Sequence, residues 1–194
     1  MSEPGAAPTA VIRIGLPDWV SDTIDPHRSY GTDEERMAIA VRLARENVRR
    51  GTGGPFGAAI FEPGGRLVAT GVNRVVPLSN SVLHAEIVAI MMAQARLGCY
   101  SLALDGMPAH ELFTSCEPCA MCLGAIQWSG VKRVVWAATR EDAGRLHFDE
   151  GPVFRASYVY LTARGIRFEA GPLREEARAA LNEYGSGGGE IYNG

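Results

Sequence analysis

Three cysteines and a proline crowd into one stretch, Ser115-Cys116-Glu117-Pro118-Cys119-Ala120-Met121-Cys122, and no other segment constrains the chain as tightly. Proline has no N–H to lose and a φ already suited to helix, so Pro118 is expected at the first helical position. Cys119 and Cys122 then follow as i and i+3 in the first turn. Both sulfurs fall on one face, where the helix N-terminus favours thiolates. Two thiolates fixed this way form half of a tetrahedral zinc site. The other half lies upstream, in Leu83-His84-Ala85-Glu86-Ile87. Three protein ligands, His84, Cys119 and Cys122, leave a fourth position for water, which separates a catalytic site from a closed structural one. Glu86 stands two residues beyond the histidine, close enough to reach that water and take its proton without binding the metal.

Taken singly, each residue has a plainer reading. A lone histidine on an apolar helix is usually a packed core residue, and isolated cysteines are usually buried hydrophobes. A Cys-x-x-Cys alone can be structural zinc or a redox pair. The two half-motifs in this order, His-x-Glu and then Pro-Cys-x-x-Cys, match the signature of zinc-dependent deaminases and favour a catalytic metal. Cys116 fits neither half and is expected to pack.

At 194 residues, the chain reads as one domain with terminal extensions, long enough to bury a core. Hydrophobic residues at 46% and charged residues at 21% are ordinary for a soluble globular protein. A net charge of −3 weighs against a nucleic-acid partner, because phosphate binding usually needs a basic surface. Four cysteines, two of them committed to metal, suggest a reducing compartment and a cytoplasmic protein. Residues 1–10 show no basic n-region followed by an apolar run, and no apolar run approaches membrane-spanning length, so no membrane partner is expected.

Along the chain, Met1 to about Ala10 is Gly/Ala/Pro-rich and expected to be loose. Val11–Val20 is apolar enough to pack, with Pro17 limiting regular structure. Thr32 and Glu35 form a capping box for a helix over Asp33–Arg50, with an apolar stripe of Met37, Val41, Ala44 and Val48 and a stop at Gly51. Gly53-Gly54-Pro55-Phe56-Gly57 leads into a hairpin, Ala58–Glu62 and Leu67–Asn73, turned at Pro63-Gly64-Gly65. The glycines are expected to let backbone approach a flat ligand, with Phe56 available to stack. Pro77–Leu83 delivers His84 to a helix that runs to Leu97 and ends at Gly98, its core face Ile87, Ile90, Met91 and Ala95. Strands are expected at Glu111–Thr114, Arg133–Ala138 and Ile166–Ala170, and helices from Pro118 to Gly130 and over Leu173–Tyr184. Arg140–Pro152 reads as a polar loop, Val153–Arg164 as helix or irregular, and Gly185–Gly189 as a flexible hinge.

These positions resemble the bacterial guanine deaminases of the cytidine deaminase-like fold. The resemblance rests on Gly53–Gly57, Asn73, His84-Ala85-Glu86, Ser115–Ile126, Phe148-Asp149-Glu150-Gly151-Pro152 and the ending Ile191-Tyr192-Asn193. That ending resembles a branch whose members also accept the triazine ammeline. The chain departs from the family pattern at Ser81-Val82-Leu83, where small residues and threonine are common. Leu83 there either narrows the pocket or packs. The resemblance implies an α/β protein of three layers, α/β/α, with a central mixed sheet of about five strands and helices on both faces. It implies a zinc-dependent deaminase domain over 31–172, an N-terminal extension over 1–30, and a C-terminal helix and tail over 173–194 that caps an active site. It also implies one zinc ion per subunit and a homodimer. By the same resemblance, Asn73 hydrogen-bonds the purine, and Phe56 and the His84 ring sandwich its plane. Glu150 reads the base edge and helps move protons, and Tyr192 closes over a site, its own or a neighbour's.

The expected reaction is hydrolytic deamination of guanine to xanthine and ammonia, with Glu86 and Glu150 as catalytic residues. Three alternatives remain on sequence alone. A cytosine, cytidine or triazine deaminase would use the same metal core. A tRNA adenosine deaminase shares the motifs but would need a more basic surface, and a non-enzymatic zinc module has no use for a glutamate beside an open ligand position.

Overall fold

The computed structural model describes residues 11–193, so the looseness expected of Met1 to about Ala10 lies outside the described residues. Five strands form one mixed sheet: β1 (Gly57–Phe61), β2 (Leu67–Val72), β3 (Glu111–Cys116), β4 (Arg133–Ala138) and β5 (Arg167–Ala170), in the order β2-β1-β3-β4-β5. β1 is antiparallel to both β2 and β3, while β3–β4 and β4–β5 are parallel. The period of two along each strand divides the core. Phe61, Phe113 and Val135 face one helical layer, formed by α1 (Trp19–Thr23), α2 (Asp33–Arg49) and α7 (Arg174–Ser186). Ile60, Leu112 and Val134 face the other layer, formed by α3 (Ala85–Leu97), α4 (Ala120–Ser129) and α6 (Arg155–Ala163). This is the expected three-layer α/β/α architecture.

Strand direction decides where the chemistry collects. Since β1 opposes both β2 and β3, the chain leaves β2, β3 and β4 at the same rim of the sheet. The loop after β2 carries His84, the segment after β3 carries Cys119, and the chain after β4 passes through α5 (Arg140–Gly144) to Glu150. Ligands of α/β sheets bind at such strand ends.

Local signals explain the elements. Thr32 and Glu35 make both halves of the capping box of α2, and Gly51 past its end sits at φ +62°. Gly98 and Gly130 close α3 and α4 in the left-handed conformation that glycine adopts without strain. In the first segment, Leu16, Trp19 and Val20 pack on the core, whereas Val11 and Ile12 are exposed. No helix among the described residues is long and apolar enough to cross a membrane.

Four expectations are corrected. α3 buries Ala85, Val88, Ala89 and Ala93 with Ile90, while Ile87 and Met91 are half-buried and Ala95 is exposed. The small side chains let the helix lie directly on Gly71 of β2, where an added Cβ would sit 2.2 Å from the Ala85 carbonyl oxygen. Pro118 precedes the cap of α4 rather than opening the helix, and Cys119 is the N-cap. The polar stretch 140–152 contains α5, started by a second capping box from Thr139 and Asp142. The expected hinge begins inside α7, and Gly189 packs on the ring of Tyr184. The stretch left open over 153–164 is helical as α6, with Leu161 its one buried residue, which is why periodicity could not settle it.

Candidate active site

His84 and Cys119 both occupy N-cap positions, with extended backbone and the helix following at once. Each side chain therefore projects from the start of a helix instead of along its flank. The thiol of Cys119 takes the capping role itself, accepting the Cys122 N–H at 3.4 Å. The third ligand, Cys122, is fully buried one turn later. His84 Nδ1 lies 3.5 Å from the Cys119 sulfur and 3.7 Å from that of Cys122. A tetrahedral zinc ion with ordinary Zn–N and Zn–S bonds separates nitrogen from sulfur by about 3.6 Å. His84, Cys119 and Cys122 are the one group of three or more ligating side chains among the described residues that could hold a metal ion. The donor set, borderline-soft nitrogen with two sulfurs, suits zinc.

Two buried carboxyls stand beside the ligands. Glu86 is 6% exposed, in the first turn of α3. Burial, and then the charge of Cys119, pushes its carboxyl above the usual carboxylate range. Burial also leads the causes at Glu150, followed by the charges of Cys119 and Glu86, and pushes it up to about 8. The hydrogen bond between the two thiols, followed by the opposing cost of burial and the His84 ring, takes Cys119 down to about 4. Burial thus opposes the ionised forms of both carboxyls, and a divalent cation beside them is the group that offsets that cost.

Phe56, His84, Glu86, Cys119 and Glu150 line a common cavity, with Tyr192 and Asn193 of the tail covering it. Two larger grooves flank α1, but neither is lined by any of the three metal-ligating side chains or the two buried carboxyls. Phe56 meets Phe148 edge-on at 5.1 Å, and Phe148 lies 5.3 Å from the Tyr192 ring. Asn73 is fully buried beneath the tail: its Nδ2 donates to the Tyr192 hydroxyl at 2.7 Å, and its Oδ1 accepts the Val75 N–H. Within the single chain, the tail lies over the cavity. Asn193 secures it, donating to the Asp149 carbonyl at 2.8 Å while its own carbonyl accepts the Asp149 N–H at 3.1 Å. The glycines before Phe56 serve this closure: a Cβ at Gly53 would strike the Asn73 carbonyl oxygen at 2.0 Å, and one at Gly54 would meet the Tyr192 hydroxyl at 2.9 Å. Leu83 packs, 1% exposed, away from the cavity lining.

Three further lining residues escaped the sequence reading. Cys116 packs as expected, yet also borders the cavity, its thiol directed at the Thr139 carbonyl. Glu117 and Asn193 border it too. Asn193 could have been suspected from its neighbour Tyr192, but Glu117 gave no local sign because its partners are remote in sequence.

Residues 31–138 match the cytidine and deoxycytidylate deaminase zinc-binding region. The guanine deaminase of Bacillus subtilis is 45% identical over 122 residues, covering 63% of this chain and 74% of that protein. A solved guanine deaminase from Nitrosomonas europaea superposes with a TM-score of 0.86 at 44% identity, over 94% of this chain and all of the other. A solved structure of a point mutant of the protein NE0047 in complex with 8-azaguanine gives the same TM-score at 43% identity, covering 93% and 99% of the two chains. The chain belongs to the cytidine and deoxycytidylate deaminase family of zinc-dependent hydrolytic deaminases.

Proposed function

We propose that this deaminase converts guanine to xanthine and ammonia. The observation that carries this reading is the pairing of Glu86 and Glu150 across a closed cavity beside the three ligands, in a chain whose close relatives include guanine deaminases. When bound, zinc held by His84, Cys119 and Cys122 supplies the Lewis acidity that brings the pKa of water towards neutrality.

The chain's own residues do the rest. Glu86 takes a proton from the attacking water as its oxygen bonds to the amino-bearing carbon. It passes that proton to the adjacent ring nitrogen. Glu86 or Glu150 then carries the remaining proton from the new hydroxyl to the amino group, the C–N bond breaks to release ammonia, and the C–O bond becomes a carbonyl. Carboxyls held above their usual range suit this work, since they take up a proton more readily than a free carboxylate. Glu150 reads the N–H donors of the base edge, because an acceptor discriminates against a ring edge that presents acceptors. Phe56 and the His84 ring enclose the plane of the purine, Asn73 binds it by hydrogen bonds, and Tyr192 excludes water from above.

The chain is expected to pair with a second copy, for which exposed Trp128 at the end of α4 and Tyr100 beyond α3 offer apolar surface. A cytoplasmic location accords with four free cysteines, two of which must stay reduced to bind metal.

Ammonia release from a panel of guanine, ammeline, cytosine, cytidine and adenosine-containing tRNA tests the substrate. Guanine is expected to be turned over fastest, and chelation should abolish turnover until zinc is restored. Preference for a nucleoside or for tRNA would overturn the reading. Sedimentation of the purified chain should give a dimer.

A further inference from the structure

The loop that carries Glu150 is tied to the metal-ligand segment by three residues that the catalytic reading leaves unused. Glu117 sits between Cys116 and Pro118, is 9% exposed and borders the cavity. Its Oε1 accepts the Tyr158 hydroxyl at 2.7 Å and pairs with Arg140 Nη2 at 3.1 Å. Its Oε2 accepts the Arg140 backbone N–H at 3.3 Å. Arg140 Nη1 donates in turn to the Tyr158 hydroxyl at 3.0 Å, so each of the three touches the other two.

The placement of this ring of contacts gives it meaning. Arg140 opens α5 and Tyr158 lies in α6, so the two bracket the 145–154 loop from both sides. Tyr158 is itself seated on the sheet, edge-on to Phe168 at 5.1 Å and against Trp136 at 6.3 Å. At the middle of the loop, the Ala120 N–H donates to the Glu150 carbonyl at 2.9 Å. Glu150 thus hangs from a frame whose anionic joint is Glu117.

We infer that Glu117, with Arg140 and Tyr158, is a positioning residue that fixes Glu150 relative to the metal ligands. Both Glu117 oxygens are already engaged by donors, so it holds geometry instead of relaying protons. Small displacements of a proton-transferring group are costly to turnover, and rigid supporting contacts prevent them. The inference rests on the role given to Glu150 in the proposed reaction.

The full zinc-loaded chain tests it. Tyr158→Phe deletes the hydroxyl while keeping the ring packed, and should lower kcat on guanine about tenfold with KM changed little, as expected for a charge-assisted hydrogen bond. Zinc content should stay at one per chain. In a Glu150→Gln background the same change should cost less than about twofold, the usual error of additivity. Amide hydrogen exchange over residues 145–154 should quicken while that of β3 stays unchanged. Glu117→Gln should reproduce the pattern, and Tyr158→Phe carries the test alone if that variant fails to fold. Equal losses in both Glu150 backgrounds, or unchanged exchange over 145–154, would overturn the inference. A wild-type chain inert towards guanine would sink the substrate reading instead, and the exchange measurement, which needs no substrate, would still decide the clamp.

Discussion

The two ends of β3 and β4 make a useful contrast. At their beginnings, Glu111 and Arg133 are paired across the sheet, Glu111 accepts from the buried Arg36, and Arg133 donates to Asp33 at 2.9 Å and to Glu169 at 3.1 Å. Positive and negative groups alternate there, and the guanidinium of Arg36 also reaches the carbonyls of Tyr30 and Pro63. Beyond their far ends, Cys119, Glu86 and Glu150 crowd together with one imidazole and, among the described residues, no arginine in the cavity lining. One end is saturated by its own chain and closes the fold. The other is left short of positive charge, and therefore binds a cation and perturbs carboxyls. The buried carboxyls that lack full compensation stand at the functional end, as expected when sites carry strained or uncompensated groups.

Substitutions at the two ends should separate activity from stability. Glu86→Gln should reduce kcat by about 10²–10⁴-fold with zinc retained, the range for losing a general acid–base, read by steady-state ammonia release and metal analysis. The same variant, freed of metal, should melt no lower than the wild type, because it removes a carboxyl whose burial already disfavours its charged form. Near-normal turnover with zinc bound would remove Glu86 from the mechanism. Glu111→Ala at the opposite end should cost about 3–5 kcal/mol by stranding buried Arg36, seen in denaturant unfolding, while kcat per folded molecule stays the same. Similar stability losses at both ends would erase the contrast.

Asp142 extends the contrast to pH. Burial works against its ionisation, but Arg174 and the Thr139 backbone N–H outweigh that and hold its carboxyl down at about 2. A folded pKa below the unfolded value of about 3.9 stabilises the fold above that pH, and the gain disappears as pH falls through the folded pKa. Asp142→Asn should therefore melt below the wild type at neutral pH, with the gap closing between about pH 4 and pH 2. A gap independent of pH would mean that the arginines around Asp142 do not act through its charge. The smallest effect is expected at the tail. Tyr192→Phe removes the acceptor for Asn73 Nδ2 and should lower kcat/KM by about 3–10-fold, in keeping with one neutral hydrogen bond.

Local chemistry made most of the fold legible. Thr32 with Glu35 and the stops at Gly51, Gly98 and Gly130 all act over a few residues, and the structure follows them. The ligand triad was legible for the same reason, since its spacing reports helix starts. Distant partners set what sequence could not show. Which face of α3 is buried depends on Gly71 in β2, whose missing side chain admits the alanine stripe over the bulkier Ile87 and Met91. Glu117 looked like a motif filler because Arg140 and Tyr158 stand 23 and 41 positions away. The start of α5 was the exception: Thr139 and Asp142 carried a readable capping box, hidden by the polarity of the stretch around it.

The sulfur of Cys119 acts in two capacities, and this bears on how the protein acquires its metal. As the cap of α4 it is oriented by the Cys122 amide, and His84 is set by the start of α3. Two of the three ligands are accordingly presented by helix starts, so the order of those first turns and the geometry of the metal site are linked. A substitution that unwinds the first turn of α3 or α4 should therefore weaken metal uptake along with the helix, and uptake should release protons from the thiols.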